Sequence, residues 1–271
     1  MFVPQIEPLA ITRWEDFSRS RLTLDRNVVH LWCTAINPSV NIVRDLGLTL
    51  SEEEWQRTER FKFPKDQRRF IVGRGLLRKL LASYLSCEPA AVEFTYGPSG
   101  KPALTGKSGS NSLSFNLSHA GSLVMFAFTR SRQLGVDIEG VDTTVDIDQI
   151  INQFFAPAEI ADVNSRPADL RHHRFFELWT RKEALAKAQG KGLFTALREL
   201  DTSAFDGEAS NINDPELSHF VRNWSLSQLT PAEGYVAALA ASRGSFRISC
   251  REMRWTELSS SEPGPILRAN W

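Results

Sequence analysis

The sequence predicts an α+β fold, and three observations carry that expectation. Strand-like runs rich in β-branched and aromatic residues recur along the 271 residues. Two much longer segments carry helical spacing. Strands and helices follow one another without the regular alternation that a parallel βαβ sheet requires. The length suits one large domain or two smaller ones, with ample material for a buried core.

Taken in order, Val28 to Ile36 ("VVHLWCTAI") is the first strand-like run, an almost unbroken apolar stretch. Roughly Lys65 to Ser86 reads as a helix. Val92 to Tyr96, Leu113 to Leu117, Leu123 to Thr129 and Leu134 to Glu139 are short strands bounded by Gly, Ser or Pro. A second helix is expected from roughly Ala168 to Gln189, stopped by Gly190 and Gly192. Tyr235 to Ala241 and Phe246 to Trp255 complete the strands. "TGKSGSNS" (Thr105 to Ser112) and "DGEASNINDPE" (Asp206 to Glu216) read as loops, and the tail from Glu257 has no usable periodicity.

The two helices are alike, "QRRFIVGRGLLRKLLASYL" against "HHRFFELWTRKEALAKAQG" about a hundred residues later. A tandem pair of similar α+β halves would explain this, and so would chance, because amphipathic helices resemble one another easily. The stretch Arg130 to Gly135 is the natural boundary, giving an N-terminal half 1–130 and a C-terminal half 131–271.

Lys and Arg total 32, as do Asp and Glu, so no bulk charge draws the chain to nucleic acid or an anionic membrane. Any anion binding must be local. Cys33, Cys87 and Cys250 show no metal-site spacing and are expected to be reduced. The first residues lack a signal-peptide plan, and no apolar run approaches the roughly 20 residues that span a bilayer. A soluble, cytoplasmic protein is the expectation.

In "GVDIEG", strand alternation sends Leu134, Val136 and Ile138 one way and Asp137 and Glu139 the other. The two acids then stand roughly 6.5 Å apart, close enough to share a divalent ion. An ordinary half-buried strand with a solvated acidic face would read the same. In "WTRKEALAKAQGKG", Glu183 and Lys187 lie four apart on one helix face, beside an apolar stripe of Phe175, Leu178, Trp179, Leu185 and Ala186. Alone this is a surface ion pair. Joined to Asp137 and Glu139, Glu183 completes a hard oxygen site suited to Mg²⁺, with Lys187 beside a phosphate leaving group. Ser118 and His119 in "FNLSHAG", with Lys101, read as phosphate contacts, since a Ser-His hydrolase would need a nucleophile elbow and no GxSxG is present. A histidine with a purely structural role is the alternative.

"GKPAL", "FNLSHAG", "GVDIEG" and "FFELWTRKEALAKAQGKGL", in this order and at these separations, resemble the larger, surfactin-synthetase-activating type of 4′-phosphopantetheinyl transferase. The likeness runs from about Leu48 to about Val236, and the four motifs together are highly specific. It implies two pseudo-twofold-related halves, each a small, mainly antiparallel sheet packed with a long helix, and a site in the cleft between them. It also implies Mg²⁺-dependent transfer of the 4′-phosphopantetheine arm of coenzyme A to a serine of an apo carrier protein, releasing adenosine 3′,5′-bisphosphate.

By the same resemblance, Asp137, Glu139 and Glu183 are the metal-binding acids, with Glu183 also the base. Lys187 assists the leaving phosphate and Lys182 is a further pyrophosphate contact. Lys101, Ser118 and His119 contact coenzyme A, and Arg57 and Arg69 meet its 3′-phosphate and adenosine end. Some members carry a further cation one turn before Arg57, where this chain has Glu54, and Arg60 or Arg74 is expected to compensate. The expected partner is an acidic carrier protein met by a monomer, with Phe154 and Phe155 as candidate contacts that would equally suit the core. A Mg²⁺-dependent nuclease would use a similar acidic cluster, but it would leave the Ser-His motif idle and lacks a basic stripe. A non-catalytic coenzyme A or carrier binding module would be expected to have lost an acid, and all three are present.

Overall fold

The computed structural model describes residues 5–17, 21–98, 100–105, 113–130, 132–190, 198, 200–203 and 223–255. Most of the two expected loops and the expected tail lie outside these. The chain begins with β1 (Gln5–Arg13), the single turn α1 (Trp14–Phe17), β2 (Val28–Ala35), α2 (Val40–Gly47), α3 (Glu52–Glu59) and the long α4 (Pro64–Leu85). The strands β3 (Phe94–Tyr96), β4 (Pro102–Leu104), β5 (Leu113–Ala120), β6 (Leu123–Arg130) and β7 (Leu134–Gly140) follow. After α5 (Ile147–Phe154), α6 (Pro157–Ser165) and α7 (Ala168–Gln189) come β8 (Trp224–Leu229), β9 (Tyr235–Ser242) and β10 (Arg247–Arg254).

The architecture is the expected α+β one, with one sheet and one long helix in each half. A five-stranded sheet in the order β1-β10-β2-β6-β5 carries α4, and a three-stranded antiparallel sheet β7-β9-β8 carries α7. β3 and β4 form a small hairpin of their own. The larger sheet departs from the antiparallel expectation: β10 lies between β1 and β2 and runs parallel to both. The last described strand therefore completes the sheet of the first half.

The sequence of β2 shows why the halves pack as they do. All eight of its residues are buried. Val28 and Trp32 point into a core shared with Leu76, Leu77 and Leu80 of α4. Val29, Leu31 and Cys33 point the other way, into a core shared with Leu134, Val136 and Ile138 of β7 and with Ile248 and Cys250 of β10. A sheet covered on both faces needs apolar residues at consecutive positions, which is what "VVHLWCTAI" supplies.

The two long helices obey the same end rules. Each spans 22 residues and stops at a left-handed residue, Ser86 after α4 and Gly190 after α7. Pro64 opens α4 at a position where its missing N–H costs nothing. α7 buries Phe175, Leu178 and Leu185 of its expected stripe, while Trp179 is half-buried. Among the described residues no helix is long and apolar enough to cross a membrane.

Candidate active site

β7 places Asp137 and Glu139 on the face opposite Val136 and Ile138, as alternation requires. That face is not a freely solvated one: Asp137 is buried and Glu139 half-buried. It meets α7, so closely that a Cβ on Gly135 would run into the Ala184 carbonyl oxygen and the backbone of Ala188. This contact brings the helix face carrying Glu183 and Lys187 against the acidic pair. Gly135→Ala is accordingly expected to cost about 1–3 kcal/mol in urea unfolding, with a larger proportional loss of activity, because α7 must shift away from β7. Unchanged stability would contradict the close approach.

The third wall is β5. Asn116 Oδ1 accepts the Val136 amide at 2.8 Å and ties the edge of the larger sheet to β7. Ser118 Oγ donates to Asp137 Oδ1 at 2.8 Å, and Lys187 Nζ donates to the same oxygen at 2.6 Å and to Ser118 Oγ at 2.9 Å. Asp137 is 3% exposed, and its second oxygen, Oδ2, is buried with no hydrogen-bond partner. Burial pushes the Asp137 carboxyl above its usual range, and Lys187 opposes the shift. Glu139 is raised to about 7, chiefly by burial and then by Asp137. Glu183 is raised for the same two reasons. Three carboxyl groups thus share a low-dielectric space with one ammonium.

A cavity of about 460 Å³ adjoins this cluster, lined in part by Arg57, Arg69, Phe70, Arg74, Tyr96 and His119. The Arg74 guanidinium lies 4.7 Å over the Phe94 ring, donates to the Tyr96 hydroxyl at 3.2 Å, and leaves Nη1 buried without a partner. Arg57 sits 5.3 Å over the Phe70 ring. Arg69 donates to the Gly121 carbonyl at 2.9 Å, in the turn that follows His119. Burial, and then the Arg69 charge, hold His119 below its ordinary pKa. Glu54, one turn before Arg57, turns inward: it closes a capping box with Ser51 and pairs with Arg78 at 2.6 Å and Arg74 at 3.3 Å. Of the two arginines expected to compensate for Glu54, it is Arg74 that lines the cavity.

Two sequence profiles match the chain. One, the 4′-phosphopantetheinyl transferase superfamily, covers residues 133–240, and the other, the 4′-phosphopantetheinyl transferase N-terminal family, covers 35–131. The 4′-phosphopantetheinyl transferase HetI of Nostoc sp. is 37% identical over 219 residues, which is 81% of this chain and 90% of the relative. The chain belongs to this superfamily. The 4′-phosphopantetheinyl transferase psf-1 of Bacillus pumilus is 32% identical over 68% of this chain and 77% of its own length. Sfp of Bacillus subtilis is 26% identical over 77% of this chain and 89% of its own length. The protein is thus an enzyme, a transferase of the larger, Sfp-like type.

In the transferase, Ser118, Asp137 and Lys187 form one hydrogen-bonded cluster, Glu139 and Glu183 lie near enough to feel its charges, and Arg57, Arg69, Arg74 and His119 line one cavity. Two expected phosphate contacts, Lys182 and Lys101, direct their ammonium groups at acceptors within the protein. Lys182 is wholly buried on the far side of α7, 2.7 Å from Glu159 and donating to the Leu200 carbonyl. Lys101 turns its ammonium onto backbone carbonyls at the end of α7 and the start of β7, and burial lowers its pKa to about 8. Phe155, a candidate partner contact, is fully buried and stacked 5.3 Å from Phe175. Phe154 packs edge-on against Trp179 at 5.8 Å. Asn116 belongs to the site although its role was not read from the sequence; its place two residues before Ser118, on the same strand face, was the available signal.

Proposed function

We propose that the transferase moves the 4′-phosphopantetheine arm of coenzyme A onto a serine hydroxyl of an apo carrier protein, with Mg²⁺ as cofactor and adenosine 3′,5′-bisphosphate as the second product. The observation that carries the reading is the junction of cavity and cluster. His119 lines the arginine-bearing cavity, and its neighbour Ser118 is bonded to Asp137, so an anionic ligand in the cavity would reach the carboxylates.

The residues fit a Mg²⁺ ion by the chemistry of their donors. Among the described residues no three ligating side chains already converge on a metal position, yet Mg²⁺ usually takes only one or two carboxylates and completes its shell with water and phosphate oxygens. Asp137 Oδ2, buried and unpartnered, is the donor that such an ion would satisfy. Glu139 and Glu183 are the neighbouring oxygens that would share in holding it. Bound there, Mg²⁺ would supply positive charge to pyrophosphate oxygens.

The chain's own residues supply the rest. Arg57, Arg69, Arg74 and His119 orient the 3′-phosphate and adenosine end of coenzyme A, and Phe70 and Tyr96 offer flat apolar faces beside it. Glu183, with its pKa raised, accepts the proton of the carrier serine as that oxygen attacks the β-phosphate. The serine O–P bond forms while the anhydride bond to the α-phosphate breaks. Lys187, already beside Ser118 and Asp137, donates a hydrogen bond to the departing phosphate oxygen. The test is a mass measurement: incubation of an apo carrier protein with coenzyme A, Mg²⁺ and the transferase is expected to add one phosphopantetheine to a serine. No adduct, or one formed equally well in excess chelator, would overturn the reading.

A pH prediction follows from Glu139. Its folded pKa, about 7, lies above the ordinary 4.5, so the folded state holds the proton more tightly and metal-free stability falls as pH rises through that interval. Protons and Mg²⁺ compete for the same oxygens, so Mg²⁺ is expected to raise Tm clearly at about pH 8 and little at about pH 5.5. A Mg²⁺-induced shift of equal size at both would contradict the assignment.

A further inference from the structure

We propose that Lys101 is a positioning residue, which by gathering the carbonyls of Leu134, Lys187 and Ala188 locks the β3–β4 hairpin of the first half onto the end of α7 and so fixes Lys187 over Asp137. The inference rests on the transfer reading above for its kinetic consequence, and on geometry for the lock itself. Lys101 Nζ donates to the Lys187 carbonyl at 2.5 Å, to the Leu134 carbonyl at 3.0 Å and to the Ala188 carbonyl at 3.4 Å. An ammonium has three donors and no acceptor, so these contacts use its full capacity.

The acceptors are informative. The last four carbonyls of a helix have no partner within it, and in α7, which ends at Gln189, those are the carbonyls of residues 186 to 189. The Gly190 amide takes that of Ala186. Lys101 takes the next two, where the negative end of the helix dipole favours a cation. Its aliphatic stem passes close to Gly190, the left-handed residue that ends α7, with Cδ 3.6 Å from where a Cβ would stand. The third acceptor, Leu134, is the first residue of β7, three positions before Asp137.

One side chain therefore touches the starting point of the strand that carries Asp137 and the very residue that carries the Lys187 ammonium. On the opposite side, Gly100 and Pro102 line the arginine-bearing cavity. The hairpin has only three residues in each strand. Held by Lys101, it ties the cavity wall to one end of the α7-β7 contact, and that contact carries the Lys187-Asp137 pair at 2.6 Å.

The experiment uses full-length K101M and K101R. Methionine keeps the stem and removes the donors; arginine keeps the charge but spreads it over a planar fork that cannot serve three converging carbonyls. For both variants kcat is expected to fall on the order of 10- to 100-fold, as a small misplacement of a reacting group does. KM and calorimetric Kd for coenzyme A are expected to stay within about threefold, since the charge makes no contact in the cavity. Amide exchange at residues 188–190 is expected to quicken.

A rise in KM and Kd with kcat unchanged would make Lys101 a coenzyme A contact and overturn the proposal, as would wild-type kinetics in both variants. Because K101R retains a cation, a K101M that failed to fold would still leave the proposal exposed. Amide exchange reads the lock without turnover: unchanged exchange would overturn it even if the wild-type protein proved unable to use coenzyme A, and that inability would separately sink the transfer reading.

Discussion

Replacing Glu183 by Gln is expected to lower the single-turnover rate on the order of 10²- to 10⁴-fold, the range lost with a general base, while leaving coenzyme A affinity largely intact. The amide keeps the shape and removes the proton acceptor. Glu183 is not among the residues lining the cavity, so the binding of the nucleotide end does not depend on it. Its pKa is raised, first by burial and then by Asp137, the direction that makes a carboxylate a stronger proton acceptor. Rapid mixing with excess enzyme separates the two effects, and near wild-type transfer by the variant would remove Glu183 from the mechanism.

Lys182→Met is expected to cost about 3–5 kcal/mol, because it strands Glu159 as a buried, unpaired charge. Glu159 and Lys182 are each 0% exposed and 2.7 Å apart. Burial drives each toward its neutral form and the other partner opposes it. Glu159 further accepts from the Ala156 amide and from the amide and hydroxyl of Thr202, so the pair joins α6, α7 and the segment at residue 202. Adding Glu159→Gln should recover much of the loss by removing the stranded charge. Urea midpoints of the three proteins, set against coenzyme A affinity, check this. A K182M protein of ordinary stability whose coenzyme A affinity had fallen would restore Lys182 to the phosphate site.

The two long helices were legible because their spacing and their end residues agree: α7 runs from Ala168 to Gln189 as expected, and α4 starts one residue before and ends one residue before the expected bounds. β1 was not legible. "QIEPLAITR" contains a proline and no clean alternation, and its strand state comes from pairing with β10, more than two hundred residues away. The helix α3 is almost wholly polar, yet its capping box was written in "SEEE", where Ser51 and Glu54 exchange bonds.

In the site, alternation placed Asp137 and Glu139 on one face, and helical spacing placed Glu183 with Lys187. The same spacing argues against grouping Lys182 with them. Adjacent helical residues point about 100° apart, and Lys182 falls four after Leu178 and three before Leu185, within the buried stripe. The motif preserves the order of residues, not the side of the helix each one takes. Lys101 could not be placed from sequence at all, because its acceptors are backbone carbonyls, which every residue type carries.

The position of β10 between β1 and β2 also governs the order in which the chain can mature. On a ribosome, β2, α4, β5 and β6 emerge first, and the strand that joins β1 to them follows more than a hundred residues later. Until residue 254 is free, β2 offers an open, apolar edge to any neighbouring chain, the situation that invites mispairing. Truncation before Arg247 would therefore unravel the half that is synthesised first, and the two halves should melt as one cooperative unit.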